Sequence, residues 1–270
     1  MTGTEAIILG MIQGITEFLP VSSSGHLAFA RIFIGFNEPS MAYDLLLHLS
    51  TMIATLIYFR RDLAQLIFEW LYGFVNKSAR RWAGWRFCWA VIIGTLITAP
   101  IGFYLKPFAE DAFNNSLWLG GGFIVTGILL LTSRLIPERY GQVAPGHGAL
   151  VGFVQGLAVM PGVSRSGSTI WAGLLFGLKR DEAFRFSFLL AIPAILGATL
   201  LEARELGGAA SFYEALPNGW QWGAGAAFIF GYLSLCLLKR LVINDRWWIF
   251  GVYTLFLGTT AVGITLLGGW

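Results

Sequence analysis

The sequence contains few charged residues for its length. Only 12% of its 270 residues are Asp, Glu, Lys or Arg, whereas soluble globular domains carry about 25%. Hydrophobic residues make up 56% of the chain, and the mean hydropathy is +0.68. The 18 basic and 15 acidic side chains cannot cover a water-soluble fold of this size, and the high hydrophobicity excludes a disordered chain. The composition therefore predicts a polytopic, all-α membrane protein.

Cysteines and familiar ligand motifs are also scarce. The two cysteines, Cys88 and Cys236, lie inside apolar stretches, which excludes a disulfide scaffold and indicates packing roles. The sequence has no Walker motif, dinucleotide fingerprint or Cys/His zinc spacing. Basic residues occur singly or in pairs between apolar runs, so the net charge of +3 indicates orientation in a bilayer and no nucleic-acid partner.

Six apolar segments are long enough to cross about 30 Å of hydrocarbon. A seventh, Leu63–Val75, is short and contains Glu69, so it predicts an interfacial or half-buried helix. The predicted transmembrane helices are Tyr43–Phe59, Trp85–Leu105, Ser116–Thr132, Phe186–Leu201, Trp220–Leu238 and Trp248–Leu267. The fourth of these apolar runs is short, so its helix is expected to begin a little earlier.

The basic residues are distributed unequally between the two sides of this arrangement. Fourteen of the 18 lie on one side, and only Lys106 and Arg204 lie on the other; Arg31 and Arg165 fall in two further segments. Lys and Arg accumulate in cytoplasmic loops. We therefore expect both termini to lie outside.

Two apolar segments are broken near their middle by Pro, Gly and hydroxyl residues. We call Glu5–Phe36 the first broken segment and Ala149–Leu178 the second broken segment. Each break leaves backbone N–H and C=O groups without helical partners, which is tolerated at membrane depth only inside protein or beside a wet cavity. Both segments are therefore predicted to be re-entrant helix hairpins, the first entering from outside and the second from the cytoplasm.

The two broken segments are also similar in sequence. Each is followed by three predicted spans, an odd number, so the two halves must have opposite orientations. The chain is therefore expected to be a single integral membrane domain with an inverted-topology repeat, residues 1–134 and 149–270, and a site where the broken segments meet. At a constant offset of 142, Gly10, Gln13, Gly14, Val21, Ser22, Ser24 and Gly25 match Gly152, Gln155, Gly156, Val163, Ser164, Ser166 and Gly167.

The first break combines a carboxylate, hydroxyls and an imidazole. Gln13 and Glu17 are four residues apart and share one helix face. Pro20 ends that helix, and residues 22–25 are typical caps of the next helix, whose free N–H groups favour an anion. His26 adds a group that titrates near neutral pH.

The second break has the same cap residues, with Arg165 at the position that matches Ser23. A guanidinium inside a membrane costs about 2.5–3.5 kcal/mol on insertion scales, so an anionic partner is expected. Its fork of donors suits phosphate oxygens. Together the two breaks predict a site that handles phosphate.

Structural explanations remain open for each residue alone. Ser-Gly turns are common breaks in membrane helices, Glu17 could be a buried carboxylate that only neutralises Arg165, and His26 could be a satisfied core histidine. Asp44 and His48, four residues apart on the first span, could line the cavity or form a structural pair.

The stretches Gln13–Leu27 and Pro161–Thr169 resemble the two signature motifs of the undecaprenyl-diphosphate phosphatases, the bacterial bacitracin-resistance family. Tyr43–Leu49 and Phe184–Leu190 are also similar to that family's pattern, and the resemblance extends over essentially the whole chain. It implies an enzyme of the bacterial plasma (inner) membrane. Such an enzyme removes the terminal phosphate of undecaprenyl diphosphate on the outer face, which recycles the carrier lipid for peptidoglycan synthesis and confers bacitracin resistance.

The resemblance also implies roles for individual residues. Ser23 matches the proposed nucleophile, His26 the motif histidine, and Arg165 the arginine that grips the diphosphate. In the mechanism that we expect from these residues, His26 is the base for Ser23, and Glu17 orients His26 or binds a metal ion. Glu17 matches an acidic residue linked to Mg²⁺ or Ca²⁺, but Gln13 stands where some members have Glu, which weakens metal ligation. His26 or water could replace Ser23 as nucleophile. The expected substrate-binding residues are Gln13, Ser22, Ser24, Gly25, Ser164, Ser166, Gly167 and Thr169.

Two other functions deserve comparison. The type-two phosphatidic acid phosphatases also combine Ser-Gly-His and Ser-Arg motifs, but their Ser-Arg is followed by a catalytic histidine, and no histidine follows Arg165 here. An inverted repeat is also typical of transporters, so movement of the lipid carrier across the membrane is the alternative. Expected partners are the isoprenoid diphosphate lipid, membrane lipids and a second copy of the chain in a homodimer.

Overall fold

The computed structural model describes residues 2–34, 41–113, 115–137, 139, 141–205 and 209–267, and this part of the chain is helical. Short 3₁₀ turns at Lys77–Arg81 and Ser133–Leu135 accompany the longer helices. The helices are α1 Gly3–Phe18, α2 Ser23–Ile34, α3 Met41–Tyr58, α4 Arg60–Val75, α5 Ala83–Phe113, α6 Ser116–Thr132, α7 Pro145–Leu157, α8 Arg165–Leu175, α9 Arg180–Glu205, α10 Ala209–Glu214, α11 Trp220–Ile243 and α12 Ile249–Leu266.

Within the described ranges, six helices are long and apolar enough to cross a membrane: α3, α5, α6, α9, α11 and α12. They coincide with the six predicted spans, so that prediction is confirmed. The predicted and observed bounds of α6 agree at Ser116 and Thr132, whereas α9 begins six residues before Phe186, at Arg180. This earlier start was expected because the apolar run is short, and the added residues form a charged first turn.

Helix α5 is longer than predicted. It continues past Leu105 to Phe113 and has 31 residues, or about 46 Å at 1.5 Å per residue. Pro107 lies inside the helix, and Lys106 pairs with Glu205 of α9 at 3.2 Å. The prediction that the helix ends at Leu105 was wrong, because the apolar run ends there while the helix extends into a polar turn.

Helix α4 is not among the six candidate spans. Phe68, Leu71 and Phe74 are exposed on one side of it. On its other side Glu69 accepts a hydrogen bond from the backbone N–H of Gly84 at 2.7 Å. The acidic residue that interrupts this apolar segment therefore caps the first turn of α5.

The two halves of the chain pack crosswise, which means that the first helix of each half lies against a helix of the other half. Helix α1 packs against α11, α7 packs against α5, and the pairs α3/α9 and α6/α12 join the halves. The matched glycines make two of these contacts very close: a methyl group at Gly10 would collide with the carbonyl oxygen of Gly223, and one at Gly152 with that of Gly94. Each half therefore supplies the packing partner for the first helix of the other.

Both predicted breaks are present. Helix α1 ends at Phe18 and α2 begins at Ser23, while α7 ends at Leu157 and α8 begins at Arg165. The connecting turns contain left-handed backbone at Ser22, with φ 68°, and at Gly162, with φ 82°. The two turns meet in the interior, where they form the polar site described next.

Candidate active site

Glu17, in the last turn of α1, joins the two broken segments. It is 8% exposed. Its Oε1 accepts a hydrogen bond from Arg165 Nη2 at 2.6 Å, and its Oε2 accepts one from Ser23 Oγ at 2.7 Å. Gln13 Nε2, one turn earlier on α1, donates to Oε2 at 3.1 Å. The predicted meeting of the two segments is therefore confirmed. Glu17 also pairs with Arg165, a contact that the sequence left as one of two interpretations.

Arg165 is the first residue of α8. The preceding residue, Ser164, caps the helix by accepting a hydrogen bond from the backbone N–H of Gly167 at 3.1 Å. The arginine side chain is 18% exposed. Its Nη1 is buried and has no hydrogen-bond partner in the described part of the chain. One terminal nitrogen of Arg165 thus holds Glu17, and the other is left to bind an anion.

The turn that presents Ser23 is strained at Ser22. A left-handed φ of 68° is uncommon for a residue other than glycine, and such positions cluster at functional sites. The carbonyl of Ser22 accepts hydrogen bonds from the backbone N–H of His26 at 3.1 Å and from its Nδ1 at 2.8 Å. The turn thereby sets Ser23 at the start of α2, facing Glu17.

His26 does not hydrogen-bond to Ser23. Because the Ser22 carbonyl can only accept, His26 Nδ1 carries a hydrogen, and the neutral ring accepts at Nε2. Nε2 lies 2.7 Å from the hydroxyl of Tyr253 on α12, and the two rings stack with centroids 5.7 Å apart. Tyr253 was not predicted, since 227 residues separate it from His26. The only sequence indication was a tyrosine hydroxyl in an apolar span, which needs a partner.

His48, which the sequence left between two interpretations, lies at the site. Its Nδ1 is 2.9 Å from the backbone carbonyl of Asp44, one turn earlier on α3. Its Nε2 is 3.8 Å from Glu17 Oε2, and its side chain is 34% exposed. The histidine therefore faces the same carboxylate as Ser23 and Arg165.

These groups border a cavity of about 190 Å³ between the two turns, α3 and α9. Six of the twelve predicted site residues line it, whereas His26, Gln13, Gly25, Ser166, Gly167 and Thr169 do not. Thr169 instead contacts Ser187, with 2.6 Å between the hydroxyl oxygens, and Ser166 contacts Ser164 at 3.2 Å. The cavity is lined by Thr16, Glu17, Ser22, Ser23, Ser24, His48, Ala158, Val163, Ser164, Arg165 and Ile195.

The residues present do not fit a protein-held Mg²⁺ or Ca²⁺ ion at Glu17. Both carboxylate oxygens already accept hydrogen bonds from donors on Arg165, Ser23 and Gln13. Divalent cations of this kind need several oxygen ligands, but position 13 presents an amide nitrogen to the carboxylate. Among the described residues, no three His, Cys, Asp or Glu side chains are grouped so that they could hold a metal ion.

The described part of the chain is helical and contains six candidate spans, which defines an integral membrane protein. Its buried polar site contains an ion pair, a serine and a histidine around one cavity. Comparison with known protein families identifies the family within this class. The chain belongs to the family described as bacitracin resistance protein BacA, whose model matches residues 6–260.

Curated relatives match the chain almost from end to end. A protein of Desulfosudis oleivorans is 40% identical, with 98% of each chain covered. One from Thermomicrobium roseum is 39% identical, covering 94% of this chain and 95% of its own. A third, from Methanosphaera stadtmanae, is 36% identical and covers 97% of this chain and 98% of its own. All three carry the name undecaprenyl-diphosphatase.

Proposed function

We propose that this chain hydrolyses undecaprenyl diphosphate to undecaprenyl phosphate and inorganic phosphate. The observation that carries the proposal is Glu17, which accepts hydrogen bonds from both Ser23 and Arg165 at the edge of the cavity. A hydroxyl nucleophile, a nearby proton acceptor and a cation are the groups that phosphoryl transfer requires. The names of the relatives supply the lipid.

Ser23 is the nucleophile in this mechanism. Its Oγ attacks the terminal phosphorus, the bond to the bridging oxygen breaks, and the proton of Ser23 passes to Glu17 Oε2. Glu17 then gives that proton to the departing oxygen of undecaprenyl phosphate. Water attacks the phosphoserine, one water proton goes to Glu17, and Ser23 Oγ takes a proton back as phosphate leaves. Glu17 acts as base because it is 2.7 Å from the Ser23 hydroxyl, whereas His26 steadies the turn.

Arg165 supplies the protein's positive charge to the reacting phosphate. Its Nη1 lies buried without a partner among the described residues, so it is free to donate to a phosphate oxygen as negative charge develops. No step of the mechanism depends on a metal bound by the protein.

The reaction takes place near the outer face, and both termini lie outside. His48 is seven residues from the start of α3 at Met41, about 10 Å at 1.5 Å per residue. The other end of α3 leads to Arg60 and Arg61. Since basic residues favour the cytoplasm, the cavity belongs to the opposite, outer half of the plasma membrane.

The two broken segments are re-entrant hairpins of an inverted repeat that spans residues 1–134 and 149–270. The crosswise packing of α1 on α11 and of α7 on α5 supports this arrangement. The close contacts of Gly10 and Gly152, which match at the offset of 142, support it as well. In this arrangement the breaks lie where the hairpins meet, away from lipid.

A phosphate-release assay on undecaprenyl diphosphate, with protein purified in detergent, tests the function. We expect release by the wild type and a loss of at least about 10³-fold in Arg165→Ala, the scale of an arginine that stabilises transferring phosphate. Arg204→Ala, whose side chain lies on α9 outside the cavity, serves as the control. Glu17→Ala is expected to lose activity similarly, with and without a chelator. No release by wild-type protein of verified fold would reject the proposal.

Transport of the lipid carrier is a second candidate, and the crosswise packing of the halves is the observation that favours it. The two functions differ in what they need. A flippase moves lipid between two leaflets and frees no phosphate, whereas the phosphatase works in detergent micelles. Lipid movement in sealed vesicles that persists in Ser23→Ala would establish transport as separate from hydrolysis.

A further inference from the structure

Of the three histidines, His48 is the one that lines the cavity. His26 contacts Ser22 and Tyr253 through its two ring nitrogens. His147 accepts a hydrogen bond at Nδ1 from the backbone N–H of Ala144, at the start of α7. The imidazole best placed to meet the substrate is therefore outside both signature motifs.

The orientation and tautomer of His48 are fixed by the backbone. The carbonyl oxygen of Asp44 lies 2.9 Å from Nδ1, and because a carbonyl only accepts, the hydrogen of the neutral ring is on Nδ1. Nε2 then presents a lone pair toward the cavity. The ring nitrogen that faces Glu17 is thus an acceptor, as the carboxylate is.

Two acceptors that face each other need a donor between them. Nε2 of His48 and Oε2 of Glu17 are 3.8 Å apart, too far for a hydrogen bond to each other. Two hydrogen bonds of about 2.8 Å each can span that separation from a single atom. A water molecule, which carries two hydrogens, meets this requirement, and the hydrolysis needs such a water.

We infer that His48 is a positioning residue for the water that attacks phosphorus. This inference rests on the proposed function. One hydrogen of the water is donated to His48 Nε2 and the other to Glu17 Oε2, so that the oxygen lone pair is turned toward the cavity. A new oxygen–phosphorus bond forms, the bond from phosphorus to Ser23 Oγ breaks, and the proton released by the water goes to Glu17. His48 keeps its protonation state and supplies only the acceptor that sets the geometry.

The test compares three substitutions at position 48. Gln places an amide oxygen at a similar reach, so His48→Gln is expected to keep kcat within about 3-fold of wild type. Asn is one methylene shorter and Leu has no acceptor, so His48→Asn and His48→Leu are expected to lower kcat at least 10-fold. In His48→Asn and His48→Leu, KM is expected to fall together with kcat while kcat/KM stays near the wild-type value, because only the step after phosphoserine formation is slowed.

Two further measurements separate this role from a structural one. In rapid-quench experiments His48→Asn should still release undecaprenyl phosphate in a burst while phosphoserine accumulates, since only the water step is slowed. Ser50→Ala is the matched control on α3, because its hydroxyl donates only to the carbonyl of Leu46 at 2.8 Å. It should behave as wild type, and thermal unfolding verifies the fold of each variant.

Equal kcat values for folded His48→Asn and His48→Gln would overturn the inference, because the distance to which the side chain carries its acceptor would then not affect the rate. A loss confined to KM would overturn it as well. Neither result would affect the proposed function, which fails only if the wild type releases no phosphate.

Discussion

The two broken segments share a backbone plan but differ in the chemistry they carry. Gln13 and Gln155 are matched, buried glutamines on α1 and α7. Gln13 donates to Glu17, whereas Gln155 donates to Thr98 Oγ1 of α5 at 3.2 Å. The difference arises because the position that matches Glu17 is Val159, which offers no acceptor. The two segments thus have matched positions, and single replacements at those positions change which groups each turn presents.

The two segments also carry different charges at the site. Ser23 and Arg165 are matched positions. Each is the first residue of a helix, and each directly follows a serine. The first segment supplies the carboxylate of Glu17 and the proposed nucleophile, and the second supplies the guanidinium of Arg165. Neither segment alone could handle a diphosphate, because one would repel it and the other lacks a nucleophile beside a base. Experiments that exchange features between the segments therefore test the account.

The largest effect is expected from reversing the ion pair. Glu17→Arg or Arg165→Glu alone places like charges in contact, and breaking a buried pair costs about 3–5 kcal/mol. The double variant restores opposite charges, so its thermal unfolding in detergent should recover at least half of the lost stability. Phosphate release should stay undetectable, because a guanidinium cannot accept the proton of Ser23. Additive destabilisation in the double variant would contradict direct pairing.

An intermediate effect is expected at the matched glutamines. Gln13→Glu places a second carboxylate beside Glu17, whose Oε2 is 3.1 Å from the present amide nitrogen. We expect at least 10-fold tighter Mn²⁺ binding than in wild type, measured by the loss of the free-ion electron spin resonance signal. Gln155→Glu has only Val159 at the corresponding position and should gain nothing. Stoichiometric binding by wild type that Glu17→Gln abolishes would instead make Glu17 a metal ligand.

The smallest effect concerns the packing of the halves. Gly10→Ala and Gly152→Ala each force a methyl group against a backbone carbonyl, an overpacking that costs about 1–3 kcal/mol. Both should lower the unfolding temperature by similar amounts. Gly121→Ala, which has open space at its side-chain position, is the control. A loss in only one of the two glycine variants would break the proposed symmetry of the repeat.

The sequence predicted the features that depend on local pattern. Hydropathy is a property of each segment, so all six spans and both breaks were found, and the offset of 142 pointed to the meeting of the turns. The end of α5 at Phe113 was missed because a helix can outlast its apolar run, even across Pro107.

Side-chain partners across the fold could not be predicted in the same way. The pairing of His26 with Tyr253 depends on where α12 lies beside α2, and no spacing in the chain encodes it. The short contact of Ser23 with Glu17 depends on the left-handed turn at Ser22. The sequence therefore indicated His26 as the base, whereas the structure places Glu17 Oε2 within hydrogen-bond distance of Ser23 Oγ.

Mapping the enzyme-bound phosphate after a single turnover tests the central claim most directly. Undecaprenyl diphosphate labelled in its terminal phosphate would be mixed with excess protein, quenched in acid or base and analysed by peptide mass spectrometry. Phosphoserine at Ser23 is expected in the wild type and is expected to be absent in Arg165→Ala. Label on His26, or full turnover by Ser23→Ala without any labelled peptide, would contradict it.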